Sequence, residues 1–364
     1  MMFDPLTSRY LKLLQKGTLE ELTPECLYAL VYSSFDYEIL KKKTKGTYKT
    51  FSITSTLLGL SSTPLSNSQI TSRTIKDALV SSLFDTYGSR PDVEKKEPEV
   101  PFFVKIQGRE VEVYVSLISK TSNHMLRSYR GPITHAGALR PTTASLLSYK
   151  SGVSKLAQAV RKGEVDGMKI VDPMCGSGTL LFESFYLVTG CSPYRIWLEE
   201  GGIPVWSRLG YGDLEECRKE VEKREEEGMA FLEQGKVTFV GNDKVGGNLK
   251  MVRESCEVLG LRGRHFNTHC NGVSEFTFDA GDGVAISLCN PPWPEGRIGG
   301  DDPDLEGTWE ALGEWSKRNL KGQEMWVLAP PTELSGVLRM KAKRAMKFRQ
   351  GKDELRWSQY LINK

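Results

Sequence analysis

Thirteen residues near the middle of the chain leave little freedom to the fold around them: Val171-Asp-Pro-Met-Cys-Gly-Ser-Gly-Thr-Leu-Leu-Phe-Glu183. A short apolar stretch, Met168 to Val171, ends in the acid Asp172. A tight turn, Pro173 to Gly178, follows, and then a strongly apolar helical stretch from Thr179 to Val188. A strand, a tight turn and a helix in that order belong to an α/β chain whose strand ends face a ligand. Val237 to Val240, Ala285 to Cys289 and Met325 to Ala329 read as further short buried strands, most of them separated by helical stretches. This alternation predicts a parallel, Rossmann-like sheet covered on both faces.

The turn itself narrows the ligand. Gly176 and Gly178 let backbone approach a bound molecule closely. A dinucleotide fingerprint would place a third glycine where Leu181 stands, and a phosphate loop would require Gly-Lys-Ser/Thr. Asp172 would repel a phosphate but suits a cationic amino acid, and S-adenosylmethionine carries both an ammonium and a sulfonium. Asp172, Pro173, Cys175, Gly176, Gly178 and Thr179 are therefore the candidate cofactor residues, against the alternative of a turn that only packs. Gly241-Asn-Asp243 closes the next strand, and an acid there can hold both ribose hydroxyls of a nucleoside. The alternative role for Asp243 is a helix cap. It lies 71 residues after Asp172, where about 20 is usual. The charged stretch from Cys191 to Lys236, solvated along Glu215 to Glu227, reads as an insertion that accounts for the excess.

Leu288-Cys-Asn-Pro-Pro-Trp293 ends another buried strand, so it belongs to the same sheet edge as Asp172. The exocyclic amine of a nucleobase is a poor nucleophile, because its lone pair is delocalised into the ring. Two acceptors on its hydrogens release that lone pair and receive the positive charge that develops. The Asn290 side-chain oxygen and the Pro291 carbonyl, held by the rigid Pro291–Pro292 pair, are candidates. Trp293 could stack on the base. The alternative is a proline-rich turn with a packed tryptophan.

Before residue 131 the character changes. Phe51 to Leu60, Phe102 to Ile106 and Val111 to Ile118 are strand-like, and Ile75 to Phe84 carries apolar residues at helical spacing. Leu6, Tyr10, Leu13 and Leu14 could form one face of a short helix. An α+β domain over 1–130, followed by the α/β domain over 131–364 with an insertion at about 191–236, fits the pattern. The helix leading into the sheet is expected from Thr142 to about Ala159.

The net charge of +3 proves no nucleic-acid partner by itself, but cations cluster. Eight Lys or Arg lie between Arg339 and Arg356, and Lys41 to Lys49 form a second cluster. Each is either a phosphate contact or a solvated face. No apolar run is long enough to span a membrane as a helix. Seven cysteines, an odd number without a CxxC pair, argue for a reducing compartment, cytoplasmic or organellar. His265, His269 and Cys270 match no zinc spacing and read as structural, so no metal is expected.

These motifs resemble the THUMP-domain-containing guanine-N2 RNA methyltransferases, in particular their bacterial large-subunit rRNA branch. The resemblance runs from about Thr23 to the end. Asp172 to Thr179 is similar to the family's cofactor motif, and Asn290-Pro-Pro-Trp-Pro-Glu-Gly-Arg-Ile298 to its Asn-Pro-Pro-Tyr motif, with Trp293 in place of tyrosine. Ala138 to Ala144 is similar to the segment that closes over the cofactor, and Leu126-Arg-Ser-Tyr-Arg130 to the exit of the THUMP domain. The resemblance implies a class I S-adenosylmethionine-dependent methyltransferase sheet preceded by a THUMP-like RNA-binding domain short of part of its N-terminal subdomain. It implies structured RNA as partner, rRNA first and tRNA second, and guanine N2 as the methylated amine. It gives Asn271 the place of an acid that reads the cofactor's adenine. A segment like Leu328 to Leu361, in which a strand precedes a basic stretch and a last strand, marks the rRNA branch. Adenine-N6 methylation and a non-catalytic RNA-binding role are the readings outside it.

Overall fold

The computed structural model describes residues 10–34, 49–88, 91–118, 127, 129–130, 138–293, 304–330, 334–350 and 353–363. It divides into two compact units. Among the described residues, the first holds 10–118 and Leu198–Arg218, and the second holds 127–197 and 219–363.

The first unit is built on a five-stranded sheet of β1 (Leu11–Thr18), β2 (Thr50–Leu58), β3 (Asp92–Val93), β4 (Val100–Gln107) and β5 (Glu110–Ser116). Their order is β1-β5-β4-β2-β3. The β4–β5 hairpin turns at Gly108, whose positive φ of 56° a glycine adopts without strain. The helix Ser68–Tyr87 begins where the Asn67 side chain accepts from the amides of Gln69 and Ile70, and stops at Gly88 in the left-handed region. Leu27 and Val31 of the helix Pro24–Ser34 meet Ile75, Leu79, Val104 and Val113 in one core.

The segment expected to be a short N-terminal helix is strand β1, because Leu11 to Thr18 pairs antiparallel with Ser116 to Glu110. Leu6 lies outside the described residues. The expected insertion also divides. Val205 and Leu209 are buried in the first unit's core, and the amides of Val205 and Trp206 donate to Ile118 and Leu117. Lys12 sits 3.9 Å above the centre of the Tyr211 ring. Apolar burial thus draws 198–218 into the first unit, although its sequence neighbours belong to the second.

The second unit carries a seven-stranded sheet: β6 (Met168–Asp172), β7 (Val237–Asn242), β8 (Phe266–His269), β9 (Val284–Cys289), β10 (Glu324–Ala329), β11 (Arg344–Gln350) and β12 (Asp353–Leu361). The order is β11-β12-β10-β9-β6-β7-β8, with β12 antiparallel to both neighbours and β6 to β10 parallel. The chain turns one way from β6 to β7 and β8 and the other way from β9 to β10. The order therefore reverses between β6 and β9, the place where open α/β sheets bind ligands. The helix expected over 142–159 is two helices, Pro141–Lys150 and Val153–Arg161, because Gly152 between them has φ 87°. His265 and His269 flank or belong to β8; burial holds the His265 imidazole below its usual pKa. Among the described residues no His, Cys, Asp and Glu cluster could hold a metal. No helix among them is long and apolar enough to cross a membrane.

Candidate functional site

The ends of β6, β7 and β9 meet at one cavity of about 700 Å³ in the second unit. Asp172, Gly176, Asp243, Asn271 and Asn290 all line it. Gly176 and Gly178 have φ of 54° and 77°, so the turn after β6 uses both glycines in the left-handed region. A Cβ at Gly178 would lie 2.8 Å from the Phe182 ring, which is why the helix Thr179–Thr189 can close directly behind the turn.

Asp172 is 2% exposed. Its Oδ1 accepts from the Met174 amide at 3.1 Å. Burial pushes this carboxyl well above the usual carboxylate range; the Met174 amide opposes that rise and the nearby Asp243 adds to it. Such a carboxyl is poised for a cation, whose arrival would restore the charge that burial disfavours. Asp243 ties together the backbone on both sides of it. Its Oδ1 accepts from the Val245 amide, two residues on, and from Asn248 Nδ2, in a turn before the helix Gly246–Val258 rather than as its cap, and its Oδ2 accepts from the Gly176 amide at 2.9 Å. The acid at the end of β7 thus holds the glycine turn at the end of β6 and also faces the cavity.

One polar residue escaped the sequence reading. Asn242, 1% exposed, donates from Nδ2 to the carbonyls of Pro173 and Asn271, both at 3.0 Å, and accepts at Oδ1 from the Asn271 amide at 3.2 Å. Its own carbonyl accepts from Cys175. Asn242 therefore locks the glycine turn after β6 to the loop after β8 and fixes the backbone of Asn271. Its only trace in the sequence is a buried-strand position occupied by an amide. Cys175 contributes backbone and packing: its thiol lies against Gly241, and burial raises its pKa well above the usual range, as it does for Cys289.

Asn290 leaves the end of β9 with its Oδ1 buried and without a hydrogen-bond partner among the described residues. Pro291 and Pro292 line the cavity beside it, and the Pro292 carbonyl accepts from Trp309 Nε1 at 3.0 Å, which pins the pair. Trp293 departs from its expected place. It is 4% exposed, belongs to the core and does not line the cavity, whereas a stacking role would place its ring face there. Its indole is drawn inward by the apolar area that burial removes from water. Residues 294–298 of the same motif lie outside the described residues.

Arg127, Tyr129 and Arg130 clamp the helix Thr179–Thr189. Arg127 donates from Nε and Nη2 to the two oxygens of Glu183, both at 2.9 Å, and Tyr129 Oη donates to Oε1 at 2.8 Å. The ion pair is fully buried. Burial alone would lower the Arg127 pKa, but the Glu183 carboxylate more than offsets it, and the guanidinium is held charged. Arg130 donates to the Leu139 carbonyl and to Thr179 Oγ1, tying the segment before the sheet to the first turn of that helix.

A family model described as an RMKL-like methyltransferase domain matches residues 127–359, well over half of the chain. The chain belongs to that family. A THUMP domain model matches residues 25–116, so this RMKL-like chain joins an α/β methyltransferase sheet to an N-terminal THUMP domain. The ribosomal RNA large subunit methyltransferase K/L of Syntrophotalea carbinolica is 27% identical over 305 residues, covering 80% of this chain and 39% of that protein. The protein of the same name from Shewanella pealeana is 25% identical over 371 residues, covering 100% of this chain and 46% of the relative. The chain thus spans less than half the length of these curated relatives. The solved structure of SMU.472 complexed with SAH superimposes with a TM-score of 0.74 at 17% identity over 98% of this chain and 84% of its own. That likeness concerns the fold.

Proposed function

We propose that this chain is an S-adenosylmethionine-dependent RNA methyltransferase that modifies the exocyclic N2 amine of guanine in large-subunit rRNA. The observation that carries the reading is the Oδ1 of Asn290, buried at the strand end beside the cavity that Asp172 also lines and without a hydrogen-bond partner among the described residues. A buried acceptor without a partner costs stability, and a donor brought by a substrate would remove that cost. The family, and the names its relatives carry, support methyl transfer and rRNA. The THUMP domain supports an RNA substrate.

The residues fit S-adenosylmethionine. Asp172 would receive the ammonium, the Gly176–Gly178 turn offers close backbone approach, and Asp243 offers a carboxylate oxygen to ribose hydroxyls. Asn271, its backbone fixed at both ends by Asn242, would accept from the adenine amine. When bound, the cofactor supplies an electrophilic methyl group. Asn290 Oδ1 and the Pro291 carbonyl accept from the target amine, increase its nucleophilicity and take up charge as the bond forms. The alkylated amine then releases a proton to water, so no strong base is required of the chain.

The test is transfer of labelled methyl from S-adenosylmethionine to in vitro-transcribed large-subunit rRNA, followed by nucleoside mass spectrometry. N2-methylguanosine is the expected product. Label in tRNA or on adenine N6 would move the substrate assignment. Cofactor binding without any transfer to RNA would overturn the enzyme reading.

A further inference from the structure

The terminal hairpin of the second unit carries cations that its packing does not explain. Arg344, Met346 and Phe348 of β11 share one face, as alternate strand residues do. Met346 and Phe348 pack on the core, and the Arg344 guanidinium lies 4.8 Å from the centre of the Trp326 ring. The opposite face of β11 holds Ala345, Lys347 and Arg349, with Lys343 just before the strand, all exposed. Among the described residues none of these three cations pairs with an acid. Lys347 stands directly across from Arg356 of β12, a like-charge pair on one face of an antiparallel ladder, which is unfavourable for the fold. Arg356 Nε is buried without a partner among the described residues. Glu354, across from Arg349, is the one acid on that face among the described side chains.

The register shows where these charges stand. Arg356 pairs with Ala329, the last residue of β10, and Val327 of β10 pairs with Cys289 of β9. Arg356 and Lys347 are therefore level with the Asn290–Pro291 strand end, two and three strands away. At the usual strand spacing that is roughly 10 and 14 Å. The hairpin continues past Ala329 for three more register pairs, from Phe348–Leu355 to Gln350–Asp353. It overhangs the edge of the sheet on which the cavity opens by roughly 10 Å. Lysines on an edge strand also discourage pairing with other chains. That role requires no overhang at the cavity edge and no opposed like charges.

We propose that the outward face of the β11–β12 hairpin, through Lys347, Arg349 and Arg356 with Lys343 beside them, grips the phosphate backbone of the RNA strand whose base enters the cavity. The proposal rests on the methyltransferase reading above and adds the surface that holds the substrate in register.

The test compares wild type with Lys347→Gln/Arg349→Gln and with the charge-conserving Lys347→Arg/Arg349→Lys. The probe is a fluorescent in vitro-transcribed large-subunit rRNA fragment, titrated at a series of potassium chloride concentrations. Neutralising one cation that binds a phosphate takes about one unit off the slope of log affinity against log salt. The neutralised variant should bind the RNA at least tenfold more weakly at low salt, with a slope shallower by about 2. The charge-conserving variant should keep the wild-type slope. S-adenosylmethionine affinity, read by calorimetry, should be equal in all three, because neither exposed side chain touches the cavity. An unchanged slope with intact cofactor affinity overturns the proposal and leaves the methyltransferase reading standing. Failure of wild type to bind the cofactor strikes that reading instead, while the salt slopes still report on the hairpin. Hairpin-dependent binding to phosphatidylserine vesicles, with none to RNA, would also overturn the proposal.

Discussion

Asn290→Ala separates activity from stability in opposite directions. The side-chain oxygen has no protein partner among the described residues and is buried. In the proposed reaction it acts only when an amine donates to it. Removing one preorganised group of this kind costs about a hundred- to a thousandfold in rate, or roughly 2.7–4 kcal/mol of transition-state stabilisation. The folded protein should not suffer, because leaving a buried acceptor unsatisfied costs about 1–3 kcal/mol. Alanine removes that cost and gives up little packing. The variant should therefore be as stable as wild type, or more stable, while single-turnover methyl transfer collapses. The assays are single-turnover transfer to an rRNA fragment and urea denaturation on the same preparations. Cofactor affinity should change little, because the missing interaction belongs to the chemical step. Equal rates would show that the end of β9 is not the catalytic centre. A loss of more than about 1 kcal/mol in stability would show that Oδ1 holds the fold, and would refute the reasoning from the orphaned acceptor.

Three further perturbations follow from the same geometry. Burial raises the Asp172 pKa in the free protein, and a bound ammonium favours the ionised form. Cofactor binding should thus release a proton and tighten as pH rises until free Asp172 is ionised; Asp172→Asn should weaken binding at least tenfold and abolish that pH dependence in calorimetry. Glu183→Gln removes the carboxylate charge that the fully buried Arg127 faces and that Tyr129 also donates to, at about 3–5 kcal/mol. Its urea midpoint should fall sharply; a midpoint at the wild-type value would contradict the clamp. Trp293→Ala should cost about 3–5 kcal/mol as a core truncation, given its 4% exposure. If thermal stability holds and only the KM for RNA rises, Trp293 stacks on the base after all.

Much of the second unit was legible because strand, turn and helix signals there are local. Asp172, Gly176 and Gly178 stand at the strand end and in the turn that the sequence predicts, and the positive φ values show why glycine is needed. Asn242 was not legible, since an amide within Val237–Asn242 has no local signature; its two carbonyl partners are 69 and 29 residues away. β8 was missed because Phe266-Asn-Thr-His carries too few apolar residues for a strand pattern and is a strand only by pairing with β7. The same holds for β11, which reads as a basic stretch until β12 pairs with it. The Lys41–Lys49 cluster falls on 41–48, outside the described residues, apart from Lys49.

The sequence by itself determined the α/β class, the order of the cofactor turn and the Asn290 strand end, and the residue types at each. Those depend on hydrophobic period and on backbone preferences that act within a few residues. Tertiary structure alone decided which of them share a cavity and which are buried away from it. It turned Trp293 into core, gave 198–218 to the first unit, and made Arg127 and Glu183 one buried pair across 56 residues of chain. Burial and long-range pairing depend on what the rest of the chain brings alongside, and no local pattern carries that information.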